Sequence, residues 1–184
     1  MKINQISPLE HSYLQMISAI ANPPKTLYSL GTLPTKRHVS VAIVGTRKPS
    51  SYGKEVTQQL AYELAKKGVV IISGLALGVD GIAHQAALEA GGTTIAVLGN
   101  GLPSIYPSTH KSLAERIVKE GGAILSEYEP GTPSLGFRFL ERNRIVSGLA
   151  DAIIITEAAS RSGTLNTAAH ALEQGKEIFV VPGN

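Results

Sequence analysis

The stretch Val41-Ala42-Ile43-Val44-Gly45-Thr46-Arg47 decides the fold. Four apolar residues in a row, closed by a glycine, suit a short strand buried on both faces. Gly45 lets the backbone turn sharply and approach a partner closely. Arg47 then stands just past the strand's carboxyl end, the edge at which open parallel sheets bind ligands.

Outward from this strand the pattern repeats. A helix is expected over 53–67, a strand over 69–72 and an Ala-rich helix over 80–89. A strand over 93–98, a helix over 108–120 and a strand over 123–125 follow. After a Pro- and Gly-rich loop to about Gly136, a helix from about Glu141 to Gly148 leads to a strand over 152–156, a helix over 165–174 and a strand over 177–181. Glycines after the helices are their stop signals. Strands alternating with helices read as βαβ units, hence an α/β fold with a parallel sheet and all strand-to-helix loops on one edge. Upstream, residues 1–20 read as a short helix, broken at Asn22-Pro23-Pro24, and 26–30 as a short strand. The expected organisation is an N-terminal segment, 1–40, packed on a main domain, 41–184.

Composition narrows the classes. In 184 residues, 43% hydrophobic and 17% charged, there is enough apolar material for one core and too little charge for disorder. No apolar run is long enough to span a membrane, and the N-terminus lacks a signal peptide's apolar core. The chain has no cysteine, so neither a disulfide framework nor a Cys-based metal site is expected. A cytoplasmic protein without a cofactor is the expectation. The five histidines are scattered without ligand spacing. A net charge of +3 does not by itself identify nucleic acid as a partner, so the placement of the arginines has to.

Each loop on the shared edge offers chemistry. In Gly45-Thr46-Arg47-Lys48-Pro49-Ser50-Ser51, Ser50 or Ser51 can cap the next helix, and helix amides with two cations make a phosphate site. This loop lacks the Gly-x-Gly-x-x-Gly dinucleotide fingerprint. Ser73-Gly74 can offer amides to an oxyanion. Asp80 and His84, four apart, share a helix face, and the structural reading, a capping Asp and a packed His, is preferred to a catalytic pair. Tyr106 is open to two roles, stacking on a base or packing under its loop. A carboxylate of Ser126-Glu127-Tyr128-Glu129 could act as a base, coordinate a metal or lock an arginine, and locking one of the arginines that follow is preferred. The richest segment, Phe137 to Gly148, interleaves Arg138, Arg142 and Arg144 with Phe137 and Phe139, which suits single-stranded nucleic acid: cations hold phosphates and rings stack on bases. Arg142 and Arg144 point to different sides of the helix. Ser162-Gly163-Thr164 opens a further helix as a second anion cradle.

In order along the chain, Gly45-Thr46-Arg47 with Tyr52-Gly53, Ser73-Gly-Leu-Ala76 with Gly78, Asp80 and His84, and Val97-Leu-Gly-Asn-Gly-Leu102 with Tyr106-Pro107 form one set of motifs. Ser126-Glu127, Arg142-Asn-Arg-Ile-Val-Ser-Gly-Leu149, Glu157-Ala158 with Ser162-Gly-Thr164, and Val180-Val-Pro-Gly183 complete it. From about Pro23 onward the chain resembles the DNA processing protein A family, also called Smf. The resemblance implies an extended Rossmann-like three-layer sandwich that binds single-stranded DNA, acts as a homodimer, is not an enzyme, and brings the RecA recombinase onto incoming strands during natural transformation. The family's DNA pocket carries over to Gly45, Thr46, Arg47 and Lys48, to Ser73 and Gly74, to Phe139, Arg142, Asn143 and Arg144, and to Ser162, Gly163 and Thr164. Leu77 stands where a cation is common in the family, and Leu140 where a proline is. The family's helical N-terminal domain and winged-helix tail have little room here, so a minimal form or a fragment is expected. The alternative is a nucleotide-binding or nucleotide N-glycosidase domain like the lysine-decarboxylase-like phosphoribohydrolases. Their motif carries a glutamate three residues after its threonine, where this chain has Thr167.

Overall fold

The computed structural model of the protein describes residues 2–159 and 162–183. Eight strands form one sheet: β1 (Asn4–Ile6), β2 (Leu27–Gly31), β3 (Ser40–Val44), β4 (Val70–Ser73), β5 (Thr94–Leu98), β6 (Ala123–Ser126), β7 (Ala152–Ile155) and β8 (Glu177–Val180). Their order across the sheet is β1-β2-β6-β5-β4-β3-β7-β8. Neighbours from β6 to β8 are parallel, and β2 runs antiparallel to both β6 and β1. Five helices connect them: α1 (Ser51–Lys66), α2 (Val79–Glu89), α3 (Lys111–Lys119), α4 (Gly136–Leu149) and α5 (Gly163–Glu173).

The expected strands of the main domain are present within a residue or so of their expected ends. A doubly buried strand still sorts its side chains by alternation. Val41 and Ile43 pack with α1 and α2 residues such as Ala61 and Ala83, while Ala42 and Val44 pack with Ile145, Val146 and Leu149 of α4. Helices thus cover both faces, with α3 over Ala96, Leu98 and Ile124 through Ala114 and Ile117. The result is a three-layer α/β sandwich with a mostly parallel sheet.

Two expectations are corrected. The helix expected over 1–20 is absent among the described residues 2–20, which form β1 and two 3-10 turns, Pro8–Glu10 and Gln15–Ala19. The apolar positions that suggested a helix split their work. Leu14 and Ile17 are fully buried in the core beside α4, whereas Leu9 is exposed. Pro8, which lacks an N–H, starts the first 3-10 turn. The other correction is that α4 begins at Gly136, more than a turn before the expected Glu141. Phe139 and Leu140 are therefore helical, on the first turns of α4 that face the sheet's carboxyl edge.

After β3 the chain runs outward to β4, β5 and β6, then returns to lay β7 on the other side of β3. The loops after β3 and β7 diverge from this reversal. It is the switch point at which open α/β sheets form a crevice.

Candidate functional site at the switch point

A cavity of about 470 Å³ opens at that crevice. Gly45, Thr46, Arg47 and Lys48 after β3, and Ser162, Gly163 and Thr164 at the start of α5, line it with Gly74, Phe139, Arg142 and Asn143. Eleven of the thirteen residues expected at the pocket are brought together.

The other two are corrections. Ser73 is fully buried, and its hydroxyl donates to the Ile43 carbonyl at 2.7 Å, tying β4 to β3. As the last residue of β4 its side chain turns into the sheet, away from the cavity. Arg144 lies off the cavity, on the far side of α4. Its guanidinium grips the Glu127 carboxylate in a bidentate pair at 2.6 and 2.8 Å, and its Nε donates to the Asn22 carbonyl at 2.9 Å. Two residues along a helix turn the side chain by about 200°, so Arg142 and Arg144 cannot both face the crevice. Glu127 does lock an arginine, as expected.

Arg142 is buried, and its hydrogen-bond acceptors are all neutral. Nη1 donates to the carbonyls of Gly74, at 2.8 Å, and Val97, and Nε donates to Asn143 Oδ1 at 3.2 Å. Burial brings its pKa down to about 10, against the pull of the Asp80 carboxylate, so the guanidinium stays charged at neutral pH. No carboxylate among the described residues lies within ion-pair distance of Arg142. A buried cation whose direct partners are dipoles, with the Asp80 carboxylate acting on it from beyond ion-pair distance, favours an anion beside it. Asn143 donates to the Gly163 carbonyl at 3.3 Å and to Asn166 Oδ1 at 3.1 Å, which fixes the start of α5 against α4. Ser162 occupies the N-cap position of α5 without a side-chain cap bond, so this helix end faces the cavity with its first amides.

The loops ahead of two of the other helices on this edge are held by the protein's own carboxylates. At α1, Ser50 Oγ accepts from the Gly53 amide at 3.0 Å, and Glu157 accepts from the Ser50 amide at 3.0 Å and from its hydroxyl at 2.7 Å. At α2, Asp80 is not the N-cap, which is Gly78. From inside the helix it reaches back to accept from the amides of Gly74, at 3.0 Å, and Ala76, at 3.3 Å. The expected oxyanion site at Ser73-Gly74 is thus filled by the protein's own carboxylate. Sequence reasoning missed Glu157 as a tie between loops. Its position just past β7, beside a Ser-rich turn after β3, was the available signal.

His84 is packed, as preferred: fully buried, with Nδ1 2.6 Å from Thr94 Oγ1. Burial, with the charges of His110 and Arg142, pushes its pKa down to about 3, so it is neutral. At the rim, Tyr106 and Phe139 stand with ring centroids 5.3 Å apart and tilted by 40°, and the Arg142 guanidinium lies 5.9 Å from the Phe139 ring. With Arg47 and Leu77 they line a small slot beside the main cavity. No group of three His, Asp or Glu residues with metal-holding geometry occurs among the described residues, and no helix is long and apolar enough to cross a membrane.

This arrangement can hold phosphate and stack a flat ring next to it. The sequence pattern of the family described as DNA recombination-mediator protein A matches residues 4–184. The chain is 45% identical over 171 residues to the Smf protein of Escherichia coli K12, covering 93% of this chain and 46% of that protein. It is 42% identical over 184 residues to the DNA processing protein DprA of Bacillus subtilis 168, covering 99% of this chain and 61% of that one. It therefore spans about half the length of these curated relatives. A solved structure of DNA processing protein A from Helicobacter pylori, described for its single-stranded DNA binding mode, superposes with a TM-score of 0.87 at 37% identity, covering 100% of this chain and 82% of that one. The chain belongs to the DNA recombination-mediator protein A family.

Proposed function

We propose that the protein binds single-stranded DNA in the cavity at the switch point. Phosphates lie against Arg47, Lys48, the buried Arg142 and the first amides of α5, and a base stacks at the Phe139–Tyr106 pair. The observation that carries this reading is the convergence of those cations and the start of α5 on one cavity lined by Phe139, whose ring packs against Tyr106 in the adjoining slot. The same cavity argues for binding over glycoside cleavage. At position 167, where the phosphoribohydrolase motif needs a glutamate, a buried threonine turns its hydroxyl back to the Gly163 carbonyl. Family membership extends the proposal to a cytoplasmic homodimer that hands strands to the RecA recombinase.

Fluorescence anisotropy with a labelled oligothymidylate tests the binding. Affinity falls steeply with salt, and Arg47→Ala lowers the slope of log K against log salt by about 0.7, the share of one single-strand phosphate contact. An affinity indifferent to both salt and Arg47 overturns the reading.

A further inference from the structure

We propose that Asp80 is a positioning residue for this pocket: its buried carboxylate fills the amide nest of the Gly74–Gly78 loop and thereby seats the peptide that carries Arg47. The proposal rests on the binding reading above and adds a residue that does not touch the strand.

The loop is an improbable shape held from several sides. Leu75, fully buried, has φ +58°, a left-handed conformation that costs a non-glycine residue free energy and persists only where neighbours enforce it. Three groups enforce it. One oxygen of Asp80, Oδ2, accepts from both the Gly74 and the Ala76 amides. Arg142 donates to the Gly74 carbonyl, so the two buried ions grip opposite ends of one glycine. His110 Nδ1 lies 2.9 Å from the Leu75 carbonyl, fixing the loop from the α3 side.

The far end of the loop is wedged under the first binding loop. Gly78 has φ +76°, and a Cβ there would lie 2.5 Å from the Thr46 carbonyl oxygen and 2.6–2.7 Å from the carbonyl atoms of Arg47. The Val79 amide donates to the Thr46 carbonyl at 3.2 Å. The peptide between Thr46 and Arg47 therefore rests directly on the loop that Asp80 closes. Without the carboxylate, a buried and a part-buried amide lose their acceptor, the strained turn loses a tie, and the seat of Arg47 moves. Asparagine, which keeps one oxygen in the same place, retains both bonds.

The test compares wild type, Asp80→Ala, Asp80→Asn, Gly78→Ala and Arg47→Ala in oligothymidylate titrations across a salt series, with thermal unfolding in parallel. Asp80→Ala is expected to weaken binding about tenfold, the scale of one charge-assisted contact, and to lower the salt slope toward that of Arg47→Ala. Asp80→Asn recovers affinity to within about threefold and restores the slope. A role confined to stability would shift the melting temperature and leave the affinity and slope of the folded protein unchanged. Gly78→Ala disturbs the Arg47 seat without touching either buried ion, so it decides the matter if Asp80→Ala does not fold; it too is expected to lower affinity and slope. A folded Asp80→Ala or Gly78→Ala protein with wild-type affinity and slope overturns the inference while wild-type binding and the Arg47→Ala loss stand. A wild type that does not bind the oligonucleotide overturns the reading itself.

Discussion

Arg144 lies in the arginine-rich segment that points to nucleic acid, yet its geometry assigns it to stability. Replacing it with methionine keeps most of the stem and removes the guanidinium from a bidentate pair with Glu127 at 2.6 and 2.8 Å. The two side chains are 14% and 15% exposed, between the surface and the interior. Exposed pairs contribute under about 1 kcal/mol, and removing one partner of a buried pair costs about 3–5 kcal/mol. The substitution should therefore cost about 2–3 kcal/mol, including the bond to the Asn22 carbonyl and the carboxylate left partly buried. For a chain of this size that is about 5–10 °C in melting temperature. Urea unfolding should show a lower midpoint with an unchanged slope, and a double-mutant cycle with Glu127→Gln should return a coupling of about 2 kcal/mol. Oligothymidylate affinity, measured where both proteins are folded, should stay within about twofold of wild type. A tenfold loss of affinity with unchanged stability would place Arg144 at the DNA and refute the division of labour between the two sides of α4.

The remaining predictions concern pH and assembly. His84 is neutral in the fold with a pKa of about 3, against 6.5 in the unfolded chain, so the unfolded state binds more protons between those values and stability falls as pH falls. Its share of the loss is roughly 2–3 kcal/mol by pH 4.5, while Asp80, whose pKa burial raises, works in the opposite direction. Denaturation at pH 7.5 and pH 4.5 should show a gap that shrinks by about 2 kcal/mol in His84→Gln, and an undiminished gap would mean that the ring is not held neutral. β8 ends the sheet and exposes Phe179 and Val180, 58% and 65% accessible, an apolar edge that suits a second copy of the chain. Phe179→Lys should weaken the homodimer about a hundredfold or more in light scattering, since two rings of about 1.5–3 kcal/mol each lose their burial; a monomeric wild type would end that proposal.

What could be read from the residues divides along physical lines. The main-domain strands were legible because each is a short apolar run closed by small or polar residues, and burial on both faces leaves no other use for such a run. The N-terminal segment was not, because Leu14 and Ile17 are close enough for either an α-helix or a 3-10 turn, and only the pairing of Asn4–Ile6 with β2 shows that the chain cannot be helical there. The sides taken by Arg142 and Arg144 could be read as different, but not which of them faced the crevice. That depends on the rotation of α4, set by Ile145, Val146 and Leu149 against the sheet.

The candidate site shows a further limit. Every strand-loop-helix unit in such a fold ends in small polar residues and a helix N-terminus, so every loop on the edge reads as an anion cradle. What separates them is whether the protein supplies the anion. Asp80 lies six residues from the Gly74 amide it accepts from, within reach of local inspection, and could have been recognised as an internal ligand. Glu157 is 107 residues from Ser50, and only the return of β7 to the side of β3 brings them together. Two carboxylates, one local and one long-range, thus take up the Gly74 and Ala76 amides ahead of α2 and the Ser50 cap of α1, whereas the start of α5 carries no side-chain cap. Charge follows the same logic. Arg142 hydrogen-bonds only to neutral acceptors, with Asp80 beyond ion-pair distance, while Arg144 grips its own carboxylate, so of the two it is Arg142, beside the cavity, whose charge is less fully paired within the fold. Counting cations and helix ends along a sequence overstates such a site; subtracting those already neutralised within the fold leaves the groups that now face one cavity.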